Sequence, residues 1–266
     1  MHGYRTSLAA TRDFCQSLLR LKPFHFKHFT IHKNTHSFPV GSDAMMLGAL
    51  VIPIVGGHIL DAGAGSGVLG LMLAQRCTTS QVDCLELDPS ALEECAFNVA
   101  NSPFKDRMTA MEGNIWDFTS TKTYNLVVTN PPYHLSQNSS DSRNQREKHT
   151  NPQSLHRWCN ACFKLLSPEG HCWLIAPSQH RQALQQLFAE IGFYVVQCVA
   201  IQNQHHDTVR EVYCLGKTAC ASQHNTIIIR EKDGSYSAAY IELTKEFHGI
   251  SITKATDVTH PNTHKL

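Results

Sequence analysis

Asn130-Pro131-Pro132-Tyr133 is the segment whose residue types and order point most directly to chemistry. It follows a β-branched run ending at Thr129. The sequence therefore predicts Asn130 at the carboxyl end of a sheet strand, where open α/β folds bind ligands. An amide oxygen and a proline carbonyl are acceptors that need no prior proton transfer. Together, Asn130 Oδ1 and the Pro131 carbonyl can hold the two hydrogens of an NH2 group conjugated to a π system. That makes the nitrogen more pyramidal and frees its lone pair to attack an electrophilic methyl group. Tyr133 would stack on the flat group carrying the nitrogen, an interaction worth roughly 1–3 kcal/mol for a base. Taken alone, the two prolines could equally be a rigid turn after a strand, and Tyr133 a surface aromatic.

A second segment, about seventy residues upstream, favours the chemical reading. Asp61-Ala62-Gly63-Ala64-Gly65-Ser66-Gly67 stands where a first strand hands over to a helix. Glycines there permit positive φ and let a ligand approach the backbone. Some twenty positions later, at the end of the next strand, an acid would accept hydrogen bonds from ribose hydroxyls, and Glu86 in Leu85-Glu86-Leu87-Asp88 fills that place. A dinucleotide site requires GxGxxG beside a pyrophosphate. Gly63, Gly65 and Gly70 do not keep that spacing, and Asp61 would set a negative charge near the phosphates. S-adenosylmethionine has an ammonium and a sulfonium and no phosphate, so it is the expected cofactor. Asp61, Gly63, Gly65, Gly67 and Glu86 are the residues expected to hold it, with Asn130 bordering both cofactor and substrate.

The elements that must position these groups alternate strand and helix, the pattern of a parallel sheet covered on both faces. Strands are expected at His58–Asp61, Val82–Leu87, Met108–Met111, Asn125–Thr129, His171–Ala176, Tyr194–Ile201 and Val209–Leu215. Helices are expected at Val68–Arg76, from Pro89 through Asn98, at Ser154–Leu166 and at Gln179–Ile191, the last ending at Gly192. The fold class is thus α/β, Rossmann-like, with a mostly parallel seven-stranded sheet. Residues 58–249 form the expected main domain, 1–57 a basic amino-terminal extension and pre-sheet segment packed on it, and 250–266 a disordered tail. The polar stretch 134–151 reads as a lid, a binding loop or a mobile segment.

Composition excludes fibrous and disordered classes, and the first residues carry no signal-like apolar run. Ten cysteines spread through expected core elements favour buried free thiols in a reducing cytoplasm over a disulfide framework. Cys159 and Cys162 form a CxxC without a second pair at zinc spacing, so no metal site is expected. Net charge is only +1, but its distribution is uneven. Arg5, Arg12, Arg20, Lys22, Lys27 and Lys33 face the single acid Asp13 in residues 1–42, and Arg143, Arg146, Lys148, Arg157 and Lys164 form a second basic stretch. Either stretch could be a solvated face or a surface for phosphates.

Asp-Ala-Gly-Ala-Gly-Ser-Gly, Leu-Glu-Leu-Asp and Asn-Pro-Pro-Tyr are together shared by class I methyltransferases acting on exocyclic amino groups. More of the chain resembles the bacterial tRNA1(Val) adenine-37 N6-methyltransferases: FHFKHFTIHKNTHSFPVGSDAMMLGA before the glycine loop, QREKHT after the NPPY segment, and IIIREKDGSYSAAYIELTKEFH near the end. The resemblance implies methyl transfer to N6 of an adenine in a tRNA anticodon loop, with tRNA as partner and neither a membrane nor an obligate protein partner. It also points to Gly41 and Asp43 on the cofactor and substrate side of the cleft. Pro39 stands where relatives usually have lysine. Asn114 stands where most have the aspartate that meets the cofactor adenine, and Asn can both donate and accept there. Arg143, Arg146, Lys148 and His149 lie where an RNA backbone would pass if the target base were flipped toward Tyr133, with Lys27 and Lys33 as further RNA-binding cations. The near-neutral net charge implies modest, salt-sensitive RNA affinity. The alternatives are methylation of a protein glutamine side chain, methylation of an exocyclic amine in another RNA or in DNA, and a non-catalytic binding module. Against the first, the chain lacks the helical amino-terminal domain of such enzymes; against DNA, it has little room for a base-recognition domain; against the third, both motifs are chemically intact.

Overall fold

The computed structural model describes residues 21–33, 41–131 and 152–248. A short antiparallel pair, β1 (Phe24–His25) and β2 (Thr30–Ile31), precedes helix α1 (Ser42–Leu50). Then come β3 (His58–Ala62), α2 (Val68–Arg76), β4 (Gln81–Glu86), α3 (Pro89–Ala100), β5 (Met108–Glu112) and β6 (Tyr124–Thr129). After them follow α4 (Pro152–Leu165), β7 (Leu166–Pro177), α5 (Arg181–Ile191), β8 (Tyr194–Gln202), β9 (Thr208–Gly216), β10 (Gln223–Ile228) and α6 (Ala238–Thr244).

The main sheet has eight strands in the order β10-β8-β9-β7-β6-β3-β4-β5. β9 alone runs antiparallel to its neighbours β7 and β8, and the other pairings are parallel. This corrects the expected count of seven. The added strand, β10, pairs in parallel with β8 at the sheet edge, and its residues 223–226 are exposed. Edge strands carry no obligatory apolar alternation, which is why hydrophobic pattern alone does not reveal it. The β1–β2 pair, α1 and α6 also lie outside the expected elements, and α4 ends at Leu165 where β7 already starts at Leu166. The register against β6 slips between Tyr124↔Leu166 and Leu126↔His171, so the Ser-Pro-Glu-Gly corner is absorbed as an irregularity inside the strand rather than as a loop.

Two apolar layers flank the sheet. One gathers Met46, Leu47, Leu71, Met72, Cys95 and Val99 from α1, α2 and α3 against Ile59, Leu126 and Val128. The other sets Leu155, Cys159 and Cys162 of α4, with Leu184 and Phe188 of α5, against Leu60, Val127 and Leu174. Alternate residues of each central strand face opposite layers, as the period-two pleat requires. Two arginines close helix ends that would otherwise leave carbonyls unpaired. Arg76 Nη1 donates to the carbonyls of Gly48, Ala49 and Val51 at the end of α1, at 2.9, 2.9 and 2.5 Å. Arg107 reaches those of Ala74, Cys77 and Ser80 at the end of α2, at 2.7, 3.0 and 2.8 Å. Nη1 of Arg76 has only two hydrogens to share among its three carbonyls, and a charge-assisted bond contributes about 1.5–3 kcal/mol. The nine described cysteines are unbonded thiols, all buried except Cys220. No helix among the described residues is long and apolar enough to cross a membrane.

Candidate active site

Strand order reverses between β3 and β6: the chain builds outward from β3 to β4 and β5, then returns to place β6 on the other side of β3. Crossovers diverge to opposite faces there, leaving a crevice at the carboxyl ends. Both chemistry-bearing segments leave the sheet at this point, the glycine loop from β3 and Asn130 from β6.

On the β3 side, Gly63, Gly65 and Gly67 all lie in the left-handed region, at φ +75°, +56° and +83°. Backbone N–H groups of Gly63 and Ala64 donate to the Leu85 carbonyl at 2.9 and 3.0 Å, which ties the loop to β4. Gly67 then becomes the N-cap of α2. Asp61 is fully buried beneath this turn. Its Oδ2 accepts the Gly70 N–H at 2.8 Å, while its Oδ1 is buried with no hydrogen-bond partner among the described residues. Burial, reinforced by the charge of Glu86 and opposed by the Gly70 N–H, pushes the Asp61 carboxyl up to about 7. Glu86, at the end of β4, turns its carboxylate toward the loop. Oε2 accepts the Gly65 N–H at 2.7 Å, and Oε1 accepts those of Leu87 and Asp88 at 2.8 and 2.9 Å.

The Gly113 N–H donates to the Glu86 carbonyl at 3.0 Å, bringing Asn114 beside Glu86. Asn114 Oδ1 accepts the Trp116 N–H at 3.0 Å and so shapes the turn after β5. The structure therefore gathers Asp61, the three glycines, Glu86 and Asn114 along the ends of β3, β4 and β5.

On the β6 side, Asn130 is exposed and Pro131 buried. Thr129, just before them, donates its hydroxyl to the Ala62 carbonyl of β3 at 2.8 Å. Gly41 is the N-cap of α1, and Asp43 accepts Arg210 Nε of β9 at 2.9 Å. The Asp43–Arg210 pair ties the start of α1 to β9. Lys27 is exposed in the turn between β1 and β2. Lys33 is half-buried, its pKa lowered by burial and partly restored by Glu94. Pro39, Tyr133, Arg143, Arg146, Lys148 and His149 lie outside the described residues, as do the 134–151 loop and the 250–266 tail.

Three residues that sequence reasoning did not single out contribute to this geometry. Asn98 of α3 is buried; its Oδ1 accepts the His32 N–H at 2.8 Å, and its Nδ2 donates to the carbonyls of His32 and Ser66 at 3.0 and 2.9 Å. It thereby joins the amino-terminal strand to the glycine loop. Trp158 of α4 donates its indole N–H to Thr129 Oγ1 at 3.0 Å. Arg210 holds Asp43. An asparagine or tryptophan inside a helical pattern has no local signature, so only the partners brought by the fold distinguish them.

Residues 38–205 match the model of the methyltransferase small domain family. The tRNA1(Val) (adenine(37)-N6)-methyltransferase of Vibrio campbellii is 31% identical over 232 residues, covering 86% of this chain and 97% of its own. The relative of the same name from Aeromonas hydrophila is 32% identical over 228 residues, covering 85% and 96%. That from Pedobacter heparinus is 30% identical over 227 residues, covering 84% and 97%. The chain belongs to the tRNA1(Val) (adenine(37)-N6)-methyltransferase family. Among solved structures, a predicted O-methyltransferase from Agrobacterium tumefaciens aligns with TM-score 0.62 at 19% identity, over 77% of this chain and 96% of its own. That likeness concerns the fold. In this methyltransferase the crevice at β3 and β6 is the candidate active site.

Proposed function

We propose that this methyltransferase transfers a methyl group from S-adenosylmethionine to N6 of an adenine in tRNA, namely adenine 37 of tRNA1(Val). The observation that carries the proposal is the adjacency of β3 and β6 at the strand-order reversal, which sets a glycine loop for a cationic cofactor beside an Asn-Pro amide pair for an amino group. The names of the relatives support the choice of tRNA.

The loop suits the cofactor on its own chemistry. A Cβ at Gly65 would stand in open space, with φ at +56°, so the loop surface there is bare backbone. Asp61 Oδ1 is a buried acceptor with no partner among the described residues, and a carboxyl beneath the loop favours a cation above it. S-adenosylmethionine supplies, when bound, a methyl group activated by its sulfonium. Asp61 would attract its ammonium, Glu86 would take the ribose hydroxyls in place of some of its present N–H partners, and Asn114 would meet the adenine edge. Gly41 and Asp43, on the α1 side, would border the substrate half of the crevice.

Asn130 Oδ1 and the Pro131 carbonyl accept the two hydrogens of the substrate amino group. Both stabilise the nitrogen most as it pyramidalises, so their contribution grows toward the transition state. Neither needs to take the proton during attack; it leaves once the nitrogen carries positive charge and is strongly acidic. Tyr133 stacks on the base, and Arg143, Arg146, Lys148 and His149, with Lys27 and Lys33, meet RNA phosphates. The basic residues of 1–57 then serve as a segment laid on the 58–249 methyltransferase domain.

The test is nucleoside mass spectrometry of a tRNA1(Val) transcript incubated with the protein and methyl-labelled S-adenosylmethionine. Label in N6-methyladenosine, mapped by digestion to position 37, is the expected result. Label on a glutamine-containing protein substrate with none on tRNA would replace this reading by protein methylation.

A further inference from the structure

Helix α4 touches the chain where it leaves β3, at the end of β6 and in the turn after β5. Its inner stripe, Leu155, Cys159 and Cys162, is buried in the core, which fixes the helix on the sheet. The residues at its rim face the site. Arg157 stacks on the Trp116 ring, 4.6 Å from its centroid, beyond the end of β5. Trp158 meets the other two ends at once. The benzo edge of its indole lies so close to Gly63 that a Cβ there would stand 2.9 Å from Cη2 and 3.0 Å from Cζ2. Its Nε1–H donates to Thr129 Oγ1 at 3.0 Å, and that hydroxyl in turn donates to the Ala62 carbonyl at 2.8 Å. The result is a closed brace: indole to Thr129, Thr129 to Ala62, and Ala62 through one peptide to Gly63, which returns to the indole.

We infer that Trp158 is a positioning residue that holds the glycine loop and Asn130 at the separation that methyl transfer requires. Thr129 immediately precedes Asn130, so its side-chain orientation sets the direction in which the chain leaves β6. Gly63 opens the loop that carries the cofactor. A hydroxyl in a buried setting has few ways to satisfy both its donor and acceptor sites. With the indole N–H supplying the donor, Thr129 keeps its own hydrogen for Ala62, and the two strand ends are locked in one geometry. In-line transfer depends steeply on the distance between donor and acceptor, so slack of about 1 Å costs on the order of 100-fold in rate. Binding of either ligand alone does not depend on that distance. The inference rests on the methyl-transfer reading above.

The experiment is a double-mutant cycle on Trp158→Phe and Thr129→Val, with Thr129→Ser as the conservative variant. Single-turnover methylation of tRNA is measured at saturating tRNA and cofactor, beside the Kd values of S-adenosylhomocysteine and tRNA. Trp158→Phe keeps an aromatic ring in the gap and removes the N–H. We expect both Kd values to stay within about twofold and the transfer rate to fall roughly 10- to 100-fold. Thr129→Val should fall similarly, the double variant no further than either single one, and Thr129→Ser should retain most of the rate. Rates equal to the parent, or additive losses in the double variant, would overturn the inference while leaving the methyl-transfer reading intact. So would a loss that vanishes at saturating ligand, because that assigns Trp158 to binding or to stability. A parent protein that methylates no tRNA would remove the functional reading itself, and the inference with it.

Discussion

At the scale of single residues, the crevice combines an exposed amide with a deeply buried carboxyl, and each makes a different demand. Asn130 stands at a strand end with its side chain exposed, available to a substrate. If Asn130 holds the substrate amino group as proposed, Asn130→Ala removes an acceptor needed mainly in the transition state, and single-turnover transfer should drop by roughly 10²–10³ with both ligands still bound normally. A variant that binds both ligands and transfers at the parent rate would reduce the motif to a structural turn. Asp61 titrates near neutrality because burial raises it to about 7. A carboxyl raised above its ordinary value leaves the folded state holding a proton that the unfolded chain has released. Its contribution to stability therefore declines as pH rises from about 4 to about 7 and is constant above that. A bound ammonium favours the ionised form and reverses the preference. Affinity for S-adenosylhomocysteine should accordingly strengthen between about pH 5.5 and about pH 7, by at most about tenfold per unit, and Asp61→Asn should flatten the profile. A parent affinity that does not change across that range would separate Asp61 from the ligand's charge.

Among elements, the amino-terminal strand and the glycine loop share a single clamp. Asn98 accepts the His32 N–H with its amide oxygen and donates from its amide nitrogen to the carbonyls of His32 and Ser66. Replacing it with alanine leaves buried backbone groups unpaired, which costs about 1–3 kcal/mol. Urea denaturation of Asn98→Ala should show that loss, and the freed Ser66 carbonyl should weaken cofactor binding as well. Superimposable unfolding curves would mean that the strand is held by its aromatic packing alone, such as Phe26 stacked on Phe29 with centroids 4.3 Å apart. α1 is joined in the same way from two directions, by Arg76 at its carboxyl end and by the Asp43–Arg210 pair near its amino end. These long-range bonds fasten the pre-sheet elements to the sheet and its helices.

Across the whole molecule, net charge is too small to attract RNA by itself, so under the proposed function tRNA recognition would fall to local clusters of cations. Arg143, Arg146 and Lys148 follow the Asn130–Tyr133 segment in sequence. Neutralising all three should weaken tRNA binding and make its salt dependence shallower, by about 0.7–0.9 in slope for every phosphate that no longer meets a cation. Cofactor affinity should stay the same. A salt slope identical to the parent's would assign those residues to solvent and leave Lys27 and Lys33 as the cations to test. The RNA surface and the methyl-transfer crevice can be separated in this way because one depends on charge count and the other on fixed geometry.

The sequence alone determined the order of the strands and helices from β3 to β9, because helix and strand periodicities and glycine and proline punctuation are local properties; the β1–β2 pair, α1 and α6 were not among its expectations. It also marked the glycine loop, Glu86 and the Asn-Pro pair, whose chemistry is written in residue type and spacing. It did not reveal β10, which is held by main-chain pairing to β8 at an edge where side chains face water. Nor did it reveal the start of β7, where a slipped register absorbs Leu166, which read as the end of a helix, and the Ser-Pro-Glu-Gly corner after it. Trp158 with Thr129 and Asn98 with His32 and Ser66 are partners separated by 29, 66 and 32 residues. Such pairs are chosen by docking of helices on the sheet, and no local pattern encodes them. Tertiary structure therefore decided how the two halves of the crevice are held together, because their spacing is set by bonds between elements rather than within them.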